Sequence, residues 1–142
     1  YMDVHSGDRV AMVGYFGPLV APLRQRSGSL TVFEQRDVAE EGIRPAAEAP
    51  RGVRGCDVVL VTATSLINHT MDALLMAAQD ARQVVVLGAS TPLVPEVFAH
   101  TPVTLLSGVI PRDVDSILTV LQEAGGMQVF RRFVRKVNVQ VG

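Results

Sequence analysis

The side chains best suited to chemistry gather in one short stretch, Thr62-Ala-Thr-Ser-Leu-Ile-Asn-His-Thr70. Thr62, Thr64, Ser65 and Asn68 supply hydroxyls and an amide, groups that both donate and accept hydrogen bonds and so suit an anionic or polyhydroxylated ligand. Ser90 and Thr91 repeat the theme after a second apolar run. Helix capping accounts for one or two such residues, but not readily for all six together. A further arrangement is Gly14-Tyr-Phe-Gly17 with Glu34 at the end of the next apolar run. A dinucleotide-binding fold keeps its phosphate turn and its ribose-binding carboxylate in these places. The motif is G-x-x-G rather than G-x-G-x-x-G, and the aromatic Tyr15 and Phe16 stand where backbone would approach a pyrophosphate.

Other chemistries are poorly provided for. Cys56, His5, His69 and His100 are isolated in sequence, with no C-x-x-C or H-x-x-x-H spacing, so no metal ligand is assigned. Ser65 and His69 are near neighbours, but G-x-S-x-G is missing and no catalytic residue can be named.

The elements that must position these groups are legible. Asp57-Val-Val-Leu-Val-Thr62 is a continuous β-branched run, the pattern of a strand buried on both faces of a parallel sheet. The polar cluster therefore lies at a strand's carboxyl end, where open α/β sheets bind ligands. Before it, Arg9–Val13 predicts a first strand, and Gly17 is expected to cap a helix that begins at Pro18, kinks at Pro22 and ends at Gly28. Leu30–Phe33 predicts a second strand closing on Glu34. Residues 35–55 mix Asp37, Glu40, Glu41 and Glu48 with prolines and Arg44, Arg51 and Arg54, without apolar periodicity. They read as a long surface loop replacing most of a crossover helix.

After the central strand, Thr64 or Ser65 is expected to cap one helix with Ile67, Met71, Leu74, Leu75 and Ala78 along one face. Gln83–Leu87 predicts a fourth strand, followed by a helix with Thr91 as cap and Pro92 at its first position. Val103–Leu106 predicts a fifth, turning at Ser107-Gly108 into a helix with Val114, Ile117, Leu118 and Leu121 on one face. Asp113 and Asp115 favour its start, and Gly125-Gly126 stops it. Residues 127–142 place Phe130, Phe133 and Val134 at helical spacing and then alternate like a strand. They read as a tail docked on the domain, with Arg131, Arg132, Arg135 and Lys136 facing water. The expected fold is α/β, a doubly wound, mostly parallel five-stranded Rossmann-like three-layer sandwich. It forms a single domain over residues 1–142, with 1–8 as a lead-in.

At 142 residues the chain has the size of one domain with a sizeable core. A formal charge of −1 provides no field for nucleic acid or acidic lipid, so neither nucleic acid nor membrane is an expected partner. One cysteine excludes an internal disulfide framework, and without an 18-residue apolar run or a signal-like start a soluble, cytoplasmic protein is expected. Because the chain opens Tyr1-Met2, sequence upstream is expected to be missing.

In combination, residues 62–70, V-V-V-L-G-A-S-T-P-L (84–93), L-L-S-G-V-I-P-R-D (105–113) and F-R-R-F-V-R-K-V-N (130–138) resemble the C-terminal Rossmann-like domain of the DUF364 family. Gly14-Tyr-Phe16 matches that family's glycine–x–phenylalanine turn, and the resemblance runs from Arg9 onward. It implies a role in heavy-metal chelation, at a site between an enolase-N-terminal-like domain and this one. Carried over by position, Thr62, Thr64, Ser65, Asn68, Ser90, Thr91 and Pro92 line that site. His69 departs from the smaller residue or lysine expected there, and the upstream domain would have to supply the other half.

The candidate ligand-binding residues are thus Gly14, Phe16, Gly17, Glu34, Thr62, Thr64, Ser65, Asn68, Ser90, Thr91, Pro92 and Gly108. The leading expectation is a small-molecule-binding domain that handles a metal chelate or related anionic ligand. A nucleotide- or S-adenosylmethionine-dependent transferase, relying on Glu34, is the enzymatic alternative. A non-catalytic domain forming a homodimer through its apolar tail is the third.

Overall fold

A computed structural model describes residues 2–38, 40–122 and 131–142. Its centre is built from three runs that are apolar on both faces. They are β1 (Arg9–Val13), β4 (Val58–Thr62) and β5 (Gln83–Leu87), in which nearly every side chain is buried. Period-two alternation sends successive residues to opposite faces. Ala11, Val13, Val59, Val61, Val84 and Val86 therefore build one core with Met71, Leu74, Leu75 and Phe98. Val10, Met12, Val58, Leu60, Val85 and Leu87 build the other with Val20 and Leu23 of α1 (Gly17–Arg26). The sheet is covered on both sides, which gives three layers.

Adding β2 (Ser29–Glu34), β3 (Ile43–Pro45), β6 (Leu105–Pro111) and β7 (Val134–Gln140) gives a seven-stranded sheet in the order β3-β2-β1-β4-β5-β6-β7. All neighbours run parallel except β6 and β7. The first six strands have the 3-2-1-4-5-6 order of dinucleotide-binding folds, and the direction of winding reverses between β1 and β4. The doubly wound, mostly parallel architecture is as expected. The strand count is not five, because two segments with little apolar character form edges.

The first is in residues 35–55, which are not one long loop. Ile43 pairs with Val32 to start β3, then Ala46–Glu48 form a 3-10 turn and α2 (Ala49–Gly52) follows. The apolar contacts are few, and both prolines occupy tolerated positions: Pro45 closes an edge strand and Pro50 lies in the first turn of α2. The second is the tail. After a 3-10 turn at Arg131–Phe133, β7 pairs antiparallel with β6 from Leu105↔Gln140 to Pro111↔Val134. That partner carries β6 straight through Ser107-Gly108, where a turn was expected. Arg135 and Lys136 lie exposed on this edge strand, where charge discourages further pairing. Phe130 and Gly125-Gly126 lie outside the described residues.

Two helices also differ from expectation. The single helix after β4 is split into α3 (Thr64–Ile67) and α4 (Met71–Ala77), because His69 takes a left-handed φ of 56°. Ile67 consequently leaves the shared apolar face and stands 66% exposed. No helix starts at Pro92. Val94 precedes Pro95 and is extended (φ −122°, ψ 87°), as a residue before proline prefers, and only a 3-10 turn at Pro95–Phe98 follows. The helix α5 (Val114–Gln122) begins as predicted, with Asp113 Oδ1 accepting the Ser116 N–H at 3.0 Å. Among the described residues no helix is long and apolar enough to cross a membrane.

Candidate functional site

At the carboxyl ends of β1, β2 and β4, lined also by β3 and the turn into α2, lies a cleft of about 1090 Å³. The point where the winding reverses opens a crevice of this kind in doubly wound sheets. Gly14, Phe16, Glu34, Thr62, Thr64, Ser65 and Asn68 all line it.

The turn after β1 forms one wall. Gly14 has a φ of +92° and its N–H donates to the Phe33 carbonyl at 2.8 Å. A Cβ there would sit 2.8 Å from Thr62 Cβ, so glycine lets β1 and β4 converge at the cleft floor. The helix that follows has Phe16 as N-cap and Gly17 as its first residue, one position earlier than expected and without a side-chain cap. Gly17 does not line the cleft.

Glu34 reaches back across the sheet to this turn. Its Oε2 accepts the Tyr15 N–H at 2.9 Å, and its Oε1 accepts the N–H groups of Gln35 (2.7 Å) and Arg36 (3.1 Å). The Arg36 guanidinium lies 3.5 Å from Oε2. Burial pushes this carboxyl up, but the N–H donors of Arg36, Tyr15 and Gln35, with the Arg36 side chain, outweigh it and hold Glu34 below its ordinary value. A carboxylate offers about four acceptor positions, and three of them take backbone N–H groups here. With the Arg36 guanidinium also beside it, Glu34 is committed chiefly to organising the turn.

The opposite wall is α3 and its approach. Neither Thr64 nor Ser65 caps it; the N-cap is Ala63. Thr62 Oγ1 accepts the Thr64 N–H at 3.3 Å and lies 3.2 Å from Thr64 Oγ1. Either hydroxyl can donate in that contact, and Thr64 is exposed to the cleft. Ser65 is buried, and its carbonyl takes the Thr70 N–H at 2.9 Å. Asn68 is exposed, with its amide at the cleft rim. The left-handed turn at His69 ends α3 just after this amide.

The Ser90, Thr91, Pro92 and Gly108 group lies elsewhere, beyond β5. Gly108 leaves room for the 91–93 turn, since a Cβ there would meet Leu93 Cδ2 at 3.0 Å and Thr91 Cβ at 3.2 Å. Thr91 is buried by this packing and its Oγ1 has no partner among the described residues. These residues form a structural corner next to the cleft rather than part of its lining.

Two cleft residues were not singled out from sequence. The Tyr15 hydroxyl donates to Glu40 Oε2, and Arg24 Nη1 lies 2.9 Å from Glu40 Oε1. The bond to Glu40, burial and the nearby negative charge together raise the Tyr15 phenol above its ordinary value. Tyr15 was visible within the glycine turn. Glu40 was concealed in an acidic stretch that read as solvated loop.

These features define a Rossmann-like domain with a cleft at the carboxyl ends of its strands. The chain belongs to the DUF364 family, whose model, described as "Putative heavy-metal chelation", matches residues 1–140. An uncharacterized protein of Methanocaldococcus jannaschii is 27% identical over 135 residues, covering 94% of this chain and 52% of that protein. A crystal structure of a DUF364 protein of unknown function from Desulfitobacterium hafniense is similar with a TM-score of 0.85 and 27% identity, over 95% of this chain and 53% of that one. Another from Pyrococcus horikoshii has a TM-score of 0.87 at 24% identity, over 96% and 56%. The chain thus spans about half the length of the relatives it matches.

The family description raises the question of metal ligands. Among the described residues no three His, Cys, Asp or Glu side chains are grouped so that they could hold a metal ion. Cys56 lies before β4, at the end of the sheet away from the cleft, and burial pushes its thiol up, away from the thiolate a metal binds. His5, beside Asp3 and Asp8, also belongs to that far end. In the cleft, Glu34 is already engaged. The side chains of the described residues do not fit a bare ion.

Proposed function

We propose that this domain binds a small molecule in the cleft between β1, β2 and β4. The observation that carries the reading is the convergence, at the reversal of winding, of the Gly14 turn with Thr64 and Asn68. Thr64 presents an exposed hydroxyl and Asn68 is an exposed amide residue, and both line the cleft. These are orienting groups set in a partly apolar recess that also includes Phe16, Ile43 and Leu74, a balance typical of ligand sites. The charged lining comprises Glu34, Asp37 and Glu40 against Arg36 and Arg44, and Arg44 is paired with Glu48 at 2.6 Å. No net positive field is present to hold a polyphosphate. If the cargo is a heavy metal, it comes as a chelate whose organic part supplies the donors, and the hydroxyls and amide here address that organic part.

Chemical-shift mapping against a library of small polar metabolites and metal chelates tests this directly. The expected result is that binders move the amides of Gly14, Thr64 and Asn68 together. Binders that move only residues 88–93, or none that move the cleft, would refute it.

A further inference from the structure

At the mouth of the cleft a carboxylate is already received by two donors. Glu40 Oε2 accepts from the Tyr15 hydroxyl, and Glu40 Oε1 faces Arg24 Nη1 at 2.9 Å, so each oxygen has its own donor. Tyrosine hydroxyl and guanidinium are groups that recognise carboxylates through charge-assisted hydrogen bonds. Both donors belong to fixed parts of the scaffold. Tyr15 is anchored through its N–H to Glu34, and Arg24 projects from α1, whose Val20 and Leu23 are buried on the sheet. Glu40 belongs instead to the connection between β2 and β3. Beyond the anchored Gln35 and Arg36, the described part of this connection is held by the Glu40 contacts, by the Glu40 N–H on the Val38 carbonyl, and by Arg24 Nη2 on the Glu41 carbonyl at 3.5 Å.

We propose that Tyr15 and Arg24 form a carboxylate-receiving subsite at the cleft mouth, which Glu40 fills in the free chain, and that the cleft's ligand brings a carboxylate arm that takes Glu40's place. This rests on the cleft being a ligand site. Three observations carry it. The two donors meet the two oxygens of one planar group. The Glu40 and Arg24 side chains remain 25% and 44% exposed, so a competitor reaches them from solvent, and exposed pairs of this kind are weakly held. Exchanging one carboxylate for another also leaves the two donors facing a single negative charge, whereas a polyphosphate would bring several beside Glu34 and Asp37. Glu40 is on this account an internal stand-in for the ligand, and ligand entry releases the connection that carries it.

The probe is acetate, a free equivalent of the Glu40 carboxylate. The chain has two tyrosines, Tyr1 and Tyr15, and no tryptophan, so phenol absorbance in a Tyr1→Phe background reports Tyr15 alone. Glu40→Ala should bring the Tyr15 titration down toward its ordinary range, and acetate should raise it again saturably. With Glu40 in place acetate should bind measurably more weakly, because the tethered carboxylate competes for the same two donors. Removing the second donor in Glu40→Ala/Arg24→Gln should abolish the effect. Glu40→Gln, which preserves the side chain's shape, provides the same comparison should the alanine variant fold poorly. The proposal is overturned if acetate has no saturable effect on either Glu40 variant, or an equal effect without Arg24. Such a failure would leave the cleft reading intact, since Thr64 and Asn68 take no part in the experiment.

Discussion

Glu34 and Tyr15 are clasped across two neighbouring strands: the Glu34 carboxylate, at the end of β2, accepts the Tyr15 N–H at 2.9 Å in the turn that follows β1. The same carboxylate takes the N–H groups of Gln35 and Arg36, so one side chain that is 9% exposed satisfies three backbone donors. Glu34→Ala leaves those donors without a partner and should cost about 1–3 kcal/mol of stability. Because the folded-state value of Glu34 is depressed, its contribution is present above the ordinary carboxylate range and is lost as pH falls below it. Denaturant unfolding of wild type and Glu34→Gln should therefore converge in acid. An equal difference at neutral and acid pH would contradict this.

Gly14→Ala should destabilise the chain by about 1–3 kcal/mol, since it combines a φ of +92° with a Cβ placed 2.8 Å from that of Thr62. Calorimetry gives the cost. An unchanged melting temperature would show that the β1–β4 convergence is looser than described.

Asp8 is buried at the opposite end of the sheet, where Arg82 Nη2 bonds it at 2.7 Å and also reaches the Asp3 carbonyl at 2.8 Å. The bond to Arg82, aided by the His5 N–H, lowers the Asp8 carboxyl from 3.8 to about 2. A depressed folded-state value means that the stabilisation is complete above about pH 4 and drains away toward pH 2. Asp8→Asn should be less stable than wild type at neutral pH and indistinguishable from it below pH 2. A gap that persists at the lowest pH would mean that the contact acts through packing rather than charge.

His69 holds a left-handed φ of 56° between α3 and α4. His69→Val should cost at least about 1 kcal/mol, because a β-branched side chain resists that conformation, whereas His69→Gly should cost little or nothing. Paired chemical denaturation decides the matter, and equal losses in both variants would point to contacts of the imidazole instead.

The central strands were legible in sequence because unbroken β-branched runs buried on both faces have few alternatives. The place of the cleft followed from them, since Thr62 to Asn68 come directly after β4. The edges were only partly legible. Ile43 alone supplies the apolar anchor of β3, and although the end of the tail alternates like a strand, only pairing with β6 makes it the seventh strand of the sheet. His69 and Val94 show the same limit in helices, where the apolar spacing of Ile67 to Ala78 and the cap-like Thr91-Pro92 pair gave way to a backbone turn and to a downstream proline. Thr91 and Ser90 carry the right chemistry, but Gly108 and Leu93 pack that turn into a corner. Glu40 was obscure because the two donors that give it meaning, Tyr15 and Arg24, come from distant parts of the chain.

The most direct test of the account is to titrate a binder found by the chemical-shift screen into wild type, Thr64→Ala, Asn68→Ala and Ser90→Ala by calorimetry. Thr64, Asn68 and Ser90 are all exposed, so folding should be undisturbed in each variant. Losses of about tenfold for each of the first two, the worth of one hydrogen bond to a bound ligand, with Ser90→Ala unchanged, are predicted. Full affinity in Thr64→Ala and Asn68→Ala, or a loss confined to Ser90→Ala, would contradict it.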